Sequence, residues 1–470
     1  MNPIGKAFPG LILLFVALIC GLVVSAQPDD PPREKDEASS NDAQAVSHTT
    51  IQPIIPTFLG NEQRNYYGQQ PPSSLNIKWK KYLGKGRTVI SRNIGEKEWE
   101  GAGWTGQPLL VKEDEELFLI QGAYDHHLKK IKASDGQTVW EYAFDDVIKG
   151  TGTLWHQPEY QEPENSLVIL QGSRLGVGNY VDSDHIPSYR AVSYFSGEEL
   201  WRLDVKWTHS YSRDVDGSAL VVNDTAYLGL ENSLFTVFDP DYKKATPRNG
   251  MLQPKIYQEH RLYEMQDVKK HDYNVVTESS PALLNDHIYV ASGSGHVYGY
   301  DMKDDRLDWD FYIGSDMDGS AVVTSDSCLM ISVEKQYING QGGAFKLDPS
   351  ESPDEAVVWY YPTRDAELLS WQGGIIGTIG VNDQYAGKEE EKLAAFTGID
   401  GYLYVVSHQE LQEDTTVLGP DSLSRYPTPR LVYRRKVGPS IATPVFYKDK
   451  LLVATYSGLF LFEYGQNQQF

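Results

Sequence analysis

The histidines are the first residues of this chain whose type suggests chemistry. Six of them fall in polar segments between alternating apolar segments: His126, His127, His156, His185, His209 and His271. Histidine titrates near neutral pH and is therefore well suited to transfer protons there. The alternative is that these segments are simply long polar loops, in which a histidine has no chemical role.

Aromatic and arginine side chains accompany the histidines, and together they suggest elimination on an acidic saccharide. Such a reaction needs an arginine to neutralise a uronate carboxylate, a base and an acid, and flat apolar faces for the sugar rings. The candidate catalytic residues are His126, His127, His156, Tyr180, His209, Tyr211 and Arg213. The candidate substrate-binding residues are Trp155, Arg364, Trp371 and Gln372. The sequence thus predicts a lyase or dehydratase that acts on uronate-containing saccharides.

Carboxylates recur two residues before apolar segments that begin with serine. Asp216, Glu278 and Asp318 hold this position, two of them in matching DVDGS and DMDGS segments. Clustered hard oxygens are the ligands that Ca²⁺ prefers, so these three residues are candidate metal ligands and Ca²⁺ is the one candidate cofactor. The alternative is that each aspartate caps a turn before a strand. The two interpretations differ in whether the carboxylates converge.

Internal repeats indicate which elements position these residues. Ser280 to Asp301 (SPALLNDHIYVASGSGHVYGYD) matches Ser218 to Asp239 (SALVVNDTAYLGLENSLFTVFD) without a gap. Each copy reads as a short apolar strand, a polar turn, a second strand, a small-residue turn and an alternating third strand. A fourth strand, usually carrying tryptophan, follows. The copies begin near residues 107, 157, 218, 280, 320, 374 and 443.

This pattern predicts an all-β fold, a seven-bladed β-propeller, with eight blades as the alternative count. The last copy ends after three strands, and Asn76 to Tyr82 (NIKWKKY) has the form of the missing fourth one. We therefore expect the ring to be closed by this N-terminal strand in the last blade, which leaves no free sheet edge. Loops that enter the inner strands then share one face with loops between second and third strands. The sequence predicts that most of the candidate residues lie on that face.

Two segments carry a family resemblance. Ala133 to Trp140 (ASDGQTVW) and Phe195 to Trp201 (FSGEELW) resemble the tryptophan-docking repeat of pyrroloquinoline-quinone-like (quinoprotein-like) propellers, and the resemblance covers most of residues 76–464. It implies the fold and two kinds of function, since the family includes quinone-dependent alcohol dehydrogenases and the propeller lipoprotein of the outer-membrane assembly machinery. The dehydrogenases carry a vicinal cysteine pair that this sequence lacks, so pyrroloquinoline quinone is not expected. The other kind supports the alternative function, a non-catalytic scaffold or binding propeller of the outer-membrane assembly type.

The N-terminus predicts export. Leu11 to Val24 is an apolar run after Lys6, and Ser25-Ala26 completes a small-residue cleavage pattern. After cleavage no transmembrane helix is expected, and the protein would be periplasmic, outer-membrane-associated or secreted. The predicted segments are a signal peptide (1–26), a disordered tether rich in Asp, Glu, Pro, Ser and Gln (27–72), the propeller (73–465) and a tail (466–470).

The net charge of −23 restricts the partners. It argues against nonspecific nucleic-acid binding, and an acidic ligand would need a local basic patch. We therefore expect a saccharide or a protein partner at the loop-bearing face, no nucleic acid, and a monomeric chain.

Overall fold

The fold is seen in a computed structural model, which describes residues 49–66, 68, 77–160, 165–388 and 390–463. Nearly all of its regular structure is β, as predicted. Within these ranges there is one α-helix, α1 (Met265–Lys270), and one short 3-10 helix (Tyr242–Lys244). No helix in the described part of the chain is long and apolar enough to cross a membrane. The predicted signal peptide and C-terminal tail lie outside the described residues.

The strands are short and antiparallel. Before α1 they are β1 (Ile51–Ile55), β2 (Lys85–Ser91), β3 (Gly95–Glu100), β4 (Leu109–Glu113), β5 (Glu116–Gly122), β6 (His127–Lys132), β7 (Thr138–Ala143), β8 (Thr153–His156), β9 (Leu167–Gly172), β10 (Tyr189–Ser193), β11 (Glu199–Leu203), β12 (Leu220–Val222), β13 (Thr225–Gly229), β14 (Leu234–Asp239), β15 (Thr246–Arg248), β16 (Met251–Gln253) and β17 (Lys255–Arg261).

After α1 they are β18 (Ala282–Leu284), β19 (His287–Ala291), β20 (His296–Asp301), β21 (Arg306–Tyr312), β22 (Val322–Val323), β23 (Leu329–Val333), β24 (Gly343–Leu347), β25 (Val357–Pro362), β26 (Asp365–Leu368), β27 (Trp371–Gly373), β28 (Gly380–Val381), β29 (Leu393–Thr397), β30 (Tyr402–Leu418), β31 (Arg425–Lys436), β32 (Val445–Tyr447), β33 (Lys450–Thr455) and β34 (Gly458–Glu463).

Among the described residues, seven of the sheets follow one another along the chain and correspond to the seven predicted repeats. Their strand orders are β4-β5-β6-β7 with β1 beside β4, β8-β9-β10-β11, β12-β13-β14-β17, β18-β19-β20-β21, β22-β23-β24-β25, β28-β29-β30-β31 and β32-β33-β34. Three two-stranded ribbons are inserted along the chain: β2-β3 between β1 and β4 of the first sheet, β15-β16 between β14 and β17 of the third sheet, and β26-β27 between the fifth and sixth sheets. Successive antiparallel sheets of this kind are the blades of an all-β propeller, so the predicted fold class is confirmed.

Local sequence explains the hairpins within the blades. Asn223 and Asp224 join β12 to β13 with φ angles of 47° and 61°, the positive values that a tight type I′ hairpin turn requires. Asparagine and aspartate tolerate that region better than other residues with a Cβ. The polar turns seen in the repeats are therefore the turns between first and second strands.

A belt of hydrogen bonds links the inner strands of successive blades. The backbone N–H of Ser218 donates to Ser280 Oγ (2.9 Å), that of Ser280 to Ser320 Oγ (2.8 Å), and that of Ser320 to Thr378 Oγ1 (3.0 Å). Gln107 N–H donates in the same way to Thr151 Oγ1, Ser218 Oγ donates to the Thr151 carbonyl, and Thr378 N–H donates to Thr443 Oγ1. One residue at the start of each repeat thus connects each blade to the next, from the first to the seventh.

This hydroxyl belt corrects the predicted start of two repeats. The second repeat begins at Thr151 rather than near Gln157, and the sixth at Thr378 rather than near Gly374. In the second repeat the hydroxyl residue stands upstream of the predicted start, and in the sixth it stands downstream of it; the sequence pattern is weak in both places.

Tryptophans on the fourth strands dock onto the following blade. Trp140 donates from its indole to the Tyr194 carbonyl (2.9 Å) and packs on Gly197, where any side chain would collide with the ring. Equivalent bonds run from Trp201 to Pro240, from Trp309 to Glu351 and from Trp359 to His408.

The predicted closing strand is not seen as a strand. Residues 77–84 belong to no sheet, and β34 has no partner on its outer side among the described residues. Trp79 nevertheless donates to the Ala133 carbonyl (3.0 Å) and packs on Gly136. It therefore docks onto the first blade as a fourth-strand tryptophan of the last blade would, while the pairing with β34 stays a prediction.

Residues 49–66, which the sequence assigned to a disordered tether, are instead ordered against the inner strands. β1 pairs with β4, and the chain then runs past the next blades, where the Leu154 N–H donates to the Pro56 carbonyl and the Leu283 N–H to the Glu62 carbonyl. Further contacts reach Ala219, Val323 and Gln384. The polar composition suggested disorder, but polar residues of this segment instead form hydrogen bonds with backbone groups of the inner strands. The remainder of the predicted tether, apart from Gly68, lies outside the described residues.

Arg64 fastens this channel segment, which we define as residues 49–66. Its side chain is fully buried and donates to the carbonyls of Pro281 (2.9 Å) and Phe58 (2.8 Å) and to Thr57 Oγ1 (2.7 Å). Burial lowers its pKa to about 9. The segment therefore depends on one cation shared among buried backbone carbonyls.

We expect Arg64→Ala to lower the free energy of unfolding by about 2–5 kcal/mol, because it leaves buried acceptors without a donor. Urea denaturation followed by tryptophan fluorescence measures the change. Arg92→Ala is the matched control, since Arg92 pairs with Asp182 on the surface and its loss should leave the midpoint unchanged. Equal midpoints for the two variants would contradict the role given to Arg64.

Candidate functional site

The corrected repeat register changes which residues surround the channel mouth. The residues two before each belt position are Thr105, Lys149, Asp216, Glu278, Asp318, Ile376 and Ile441. The repeat starts predicted near residues 157 and 374 would have put Trp155 and Gln372 in this ring, and Lys149 and Ile376 stand there instead. Four consecutive blades contribute one lysine and three carboxylates to this ring.

Three of these residues, Lys149, Glu278 and Asp318, border a cavity of about 340 Å³, which we call the acidic well. Its polar lining consists of Lys149, Asn274, Glu278, Asp316, Asp318 and Glu334, together with Gln336 and Ser370. Its aromatic lining, which we call the aromatic wall, consists of Trp99, Trp104, Tyr124, Tyr211 and Trp371. The β2-β3 ribbon supplies Trp99, and the β26-β27 ribbon supplies Trp371.

Two groups of carboxylates converge at the well. In the first carboxylate group, oxygens of Asp216, Glu231 and Glu278 lie within 4.8 Å of one another. In the second carboxylate group, oxygens of Asp316, Asp318 and Glu334 do the same. Glu231 and Glu334 each follow the second strand of a blade, so both groups combine a loop entering an inner strand with a loop after a second strand. The predicted ligands Asp216, Glu278 and Asp318 are therefore divided between two groups.

The first carboxylate group has a cation of its own. Lys149 Nζ lies 2.6 Å from Asp216 Oδ2, 3.5 Å from Asp214 Oδ2 and 3.6 Å from Glu231 Oε1. Burial alone would lower the pKa of Lys149, but these carboxylates outweigh it and raise the pKa well above its usual value. Lys149 is therefore a buried ammonium held by surrounding acids.

Arg174 ties this side of the well to the β2-β3 ribbon. Its Nε donates to Asp214 Oδ2 (2.6 Å), and its Nη1 donates to Thr88 Oγ1 (2.7 Å) and the Val89 carbonyl (3.1 Å) on β2. Burial raises the pKa of Asp214, but Arg174 and Lys149 overcome this and lower it below its usual value. One arginine thus fixes both a carboxylate and the ribbon that carries Trp99.

The second carboxylate group has no such cation. Within the described ranges, no lysine or arginine nitrogen lies within 4.0 Å of Asp316, Asp318 or Glu334. Burial raises the pKa of Asp316 to about 6, and burial together with neighbouring carboxylates raises the pKa values of Asp318 and Glu334 well above their usual range. Gathering like charges away from water is costly unless they are neutralised, so this group favours protons or a bound cation.

Asn274 adds a neutral oxygen to the second group. Its side chain is only 7% exposed and donates from Nδ2 to Asp316 Oδ2 (2.7 Å), while its Oδ1 is buried and accepts no hydrogen bond. Buried amide oxygens without a donor are uncommon in proteins. This acceptor, on a residue that lines the well, indicates that a donor or a cation belongs there.

Most of the predicted catalytic residues lie away from the well. Arg213 is buried and donates to the carbonyls of Val205, Val181 and Ser183, so its guanidinium supports loops and faces no cavity. Trp155 is also buried and donates to Asp224 in the β12-β13 turn (3.1 Å). The β12-β13 turn follows the inner strand β12, whereas the belt residue Ser218 precedes that strand, so the turn and the belt lie at opposite ends of it. In the same way β8 starts two residues after the belt residue Thr151, and Trp155 lies near its far end. Trp155 and the adjacent His156 are therefore not at the channel mouth.

The remaining candidates make local contacts. His126 Nε2 bonds the Arg87 carbonyl of the β2-β3 ribbon (2.9 Å), and His127 Nδ1 bonds the Asp125 carbonyl (2.7 Å). The His209 ring packs against Trp207 and Tyr263, and the Tyr180 and Tyr402 rings stack with the guanidinium groups of Arg92 and Arg364. His185 bonds to Asp204, and Gln372 is exposed on β27. Of the predicted catalytic and substrate-binding residues, only Tyr211 and Trp371 line the well.

The sequence prediction missed Lys149, Glu231, Glu334, Asn274 and most of the aromatic wall. Aligning the ends of β13 and β23 (LGLENS and LMISVEK) would have revealed Glu231 and Glu334, since both follow the second strand. Trp99, Trp104 and Asn274 stand in insertions outside the repeat and left no periodic signal.

The seven sheets and the well together define an all-β propeller with a binding cavity on one face. No family model matches the chain, and no curated protein matches it. Among solved structures it is similar to BamB from Moraxella catarrhalis, with 12% identity, 81% of this chain and 91% of that chain covered, and a TM-score of 0.49. It is also similar to the RRP9 WD40 repeats, with 11% identity, coverage of 73% and 84%, and a TM-score of 0.41. Likenesses at these identities and scores carry no information about function.

We expect Asp318→Asn to stabilise the protein at about pH 8, in the presence of a chelator, because the variant places no carboxylate among the neighbouring acids. A carboxyl whose folded-state pKa is raised stabilises the fold below its unfolded pKa and loses that contribution as pH rises through the folded pKa. For Asp316 that loss falls between 3.8 and about 6, and for Asp318 it extends higher.

Thermal unfolding of the wild type and Asp318→Asn at about pH 4 and about pH 8 measures this effect. The two proteins should nearly coincide at the lower pH and separate at the higher one. Asp449→Asn, in an exposed turn, is the control and should follow the wild type. A variant less stable than the wild type at the higher pH would show that Asp318 has a purely structural role.

Proposed function

We propose that this protein is a non-catalytic binding propeller whose acidic well binds a cationic group. The observation that carries the proposal is the second carboxylate group. It joins the buried Asp316 and Glu334, the half-buried Asp318 and the unpaired Asn274 Oδ1 beside an open cavity, without a lysine or arginine partner among the described residues.

Lys149 provides an internal precedent. The neighbouring carboxylate group has the same kind of acids, and there the chain places its own ammonium at 2.6 Å from Asp216. Of two adjacent groups of similar composition, one contains a lysine of the chain and the other contains no cation among the described residues, which supports a ligand that brings a positive charge to the second. Perturbed carboxyl pKa values in a cleft are a common mark of functional sites.

The elimination hypothesis is less well supported than binding. A uronate carboxylate would meet Glu278, Asp316, Asp318 and Glu334 in the well, and Coulomb repulsion opposes its entry. Arg213, proposed to neutralise it, already donates to three backbone carbonyls. His127 and His156 do not line this cavity. We therefore retain the binding propeller rather than the lyase.

The wider assignment also forms part of the proposal. Tryptophan docking from Trp140, Trp201, Trp309 and Trp359 to the next blade supports a repeat of the quinoprotein-like type. Export remains an expectation from residues 1–26, and a protein partner at the well-bearing face remains compatible with a cationic group on that partner.

Isothermal titration calorimetry with calcium chloride and with pentylamine hydrochloride, two cations of different class, tests the proposed function. At least one should bind, and its affinity should rise from about pH 5 to about pH 8, because binding needs the deprotonated acids. In the double variant Asp318→Asn/Glu334→Gln the affinity should fall at least about 100-fold, or about 3 kcal/mol.

Asp348→Asn is the matched control, since Asp348 lines a separate cavity of about 480 Å³ between the fourth and fifth blades. Its titrations should match those of the wild type. Galacturonate should not bind, and polygalacturonate should give no absorbance from a new double bond. Binding of galacturonate, or of neither cation, would overturn the proposal.

A further inference from the structure

We infer that the ligand of the acidic well is a primary alkylammonium, with its charged head on the second carboxylate group and its hydrocarbon chain against the aromatic wall. This inference rests on the proposed function and specifies the chemical class of the cation. A primary amine at the end of a short alkyl chain has both parts that the well offers to bind.

The size and lining of the well favour an organic cation over a bare metal ion. A water molecule occupies about 30 Å³, so a cavity of about 340 Å³ exceeds what one ion and its ligands need. Five of the lining side chains are aromatic, and Trp99 and Tyr124 pack together with ring centroids 5.3 Å apart. Aromatic faces attract ammonium groups and cover the apolar carbons attached to them, whereas they give a hard metal ion no ligand.

The acceptors at the polar end match a primary ammonium. Such a group has three N–H donors and no acceptor. Asp318, Glu334 and the Asn274 Oδ1 offer acceptor oxygens, and Asn274 is held beside the carboxylates through its bond to Asp316. Without a ligand, Glu334 hydrogen-bonds with Asp318 and with the Trp371 side chain. A quaternary ammonium could contact the aromatic wall but could donate no hydrogen bond, so it would leave the Asn274 oxygen unsatisfied.

Lys149 shows the same recognition within the chain. Its ammonium is bound by Asp216, Asp214 and Glu231, and its side chain borders the same cavity. An alkylammonium in the second carboxylate group would repeat this arrangement two blades further on, since Asp216 and Glu231 flank β12-β13 and Asp318 and Glu334 flank β22-β23.

The well is open to solvent, and one of its lining residues, Tyr211, is 53% exposed. A primary ammonium that enters from solvent is either a free amine or the end of a lysine side chain.

Calorimetric titration of the full chain with four probes tests the inference. The probes are pentylamine, pentyltrimethylammonium, 1-pentanol and calcium chloride. Pentylamine should bind at least about 10-fold more tightly than pentyltrimethylammonium, because only the primary amine donates hydrogen bonds, and pentanol should not bind measurably.

Variants locate the two ends of the ligand. Trp371→Ala should weaken pentylamine binding about 3- to 30-fold through the lost aromatic face. Trp207→Ala, a control on an exposed tryptophan outside the well, should not change it. Asn274→Leu should reduce the preference for pentylamine over pentyltrimethylammonium. Thermal unfolding confirms that each variant is folded before titration.

The possible outcomes separate the inference from the proposed function. Tight calcium binding without pentylamine binding overturns the inference and leaves the proposed function standing, while binding of neither overturns both. Equal affinity for the primary and quaternary amines also overturns the inference. Nα-acetyl-lysine amide distinguishes the source of the amine. Binding as tight as that of pentylamine supports a lysine side chain, and weaker binding supports a free amine.

Discussion

The hydroxyl belt is the interaction on which the rest of this structure depends. Each inner strand begins beside a Ser, Thr or Gln that is bonded to the next blade, so the inner strands cannot slide relative to one another without breaking buried hydrogen bonds. Residues two positions upstream are thereby held at one level. Lys149, Asp216, Glu278 and Asp318 come from four different blades, and only this shared register brings them to a common mouth.

The fold and the site have opposite energetic characters. The blades bury alternating apolar residues and dock tryptophans, which favours folding. The well buries several carboxylates with raised pKa values, which opposes it. The propeller can keep these carboxylates buried because the free energy gained by its large apolar core exceeds the cost of burying them. This unfavourable electrostatic energy is concentrated in one cavity, whereas the neighbouring acids are paired with Lys149 and Arg174. The cavity, rather than the scaffold, is therefore the functional feature.

The fold was largely predictable from the sequence, and the site only partly. Strands, turns and docking tryptophans recur with the repeat, so the propeller could be recognised from SALVVND and SPALLND alone. The two weakest copies were misplaced because a hydroxyl residue, rather than an apolar pattern, defines their start. That error replaced Lys149 with Trp155 and concealed the counter-ion of the first carboxylate group. Trp99, Trp104 and Asn274 reach the well from inserted segments, whose position depends on tertiary contacts such as those of Arg174.

The net charge of the whole chain and the acids of the well both attract cations. A net charge of −23 surrounds the protein with a potential that attracts cations and repels anions, although salt screens it beyond about 10 Å. Inside the well the screening is weaker and the second carboxylate group dominates. An anionic saccharide would be opposed at both distances, whereas a cation would be attracted first by the surface and then by Asp318 and Glu334. The sequence alone required a basic patch for an acidic ligand, and in place of that patch the channel mouth has buried acids.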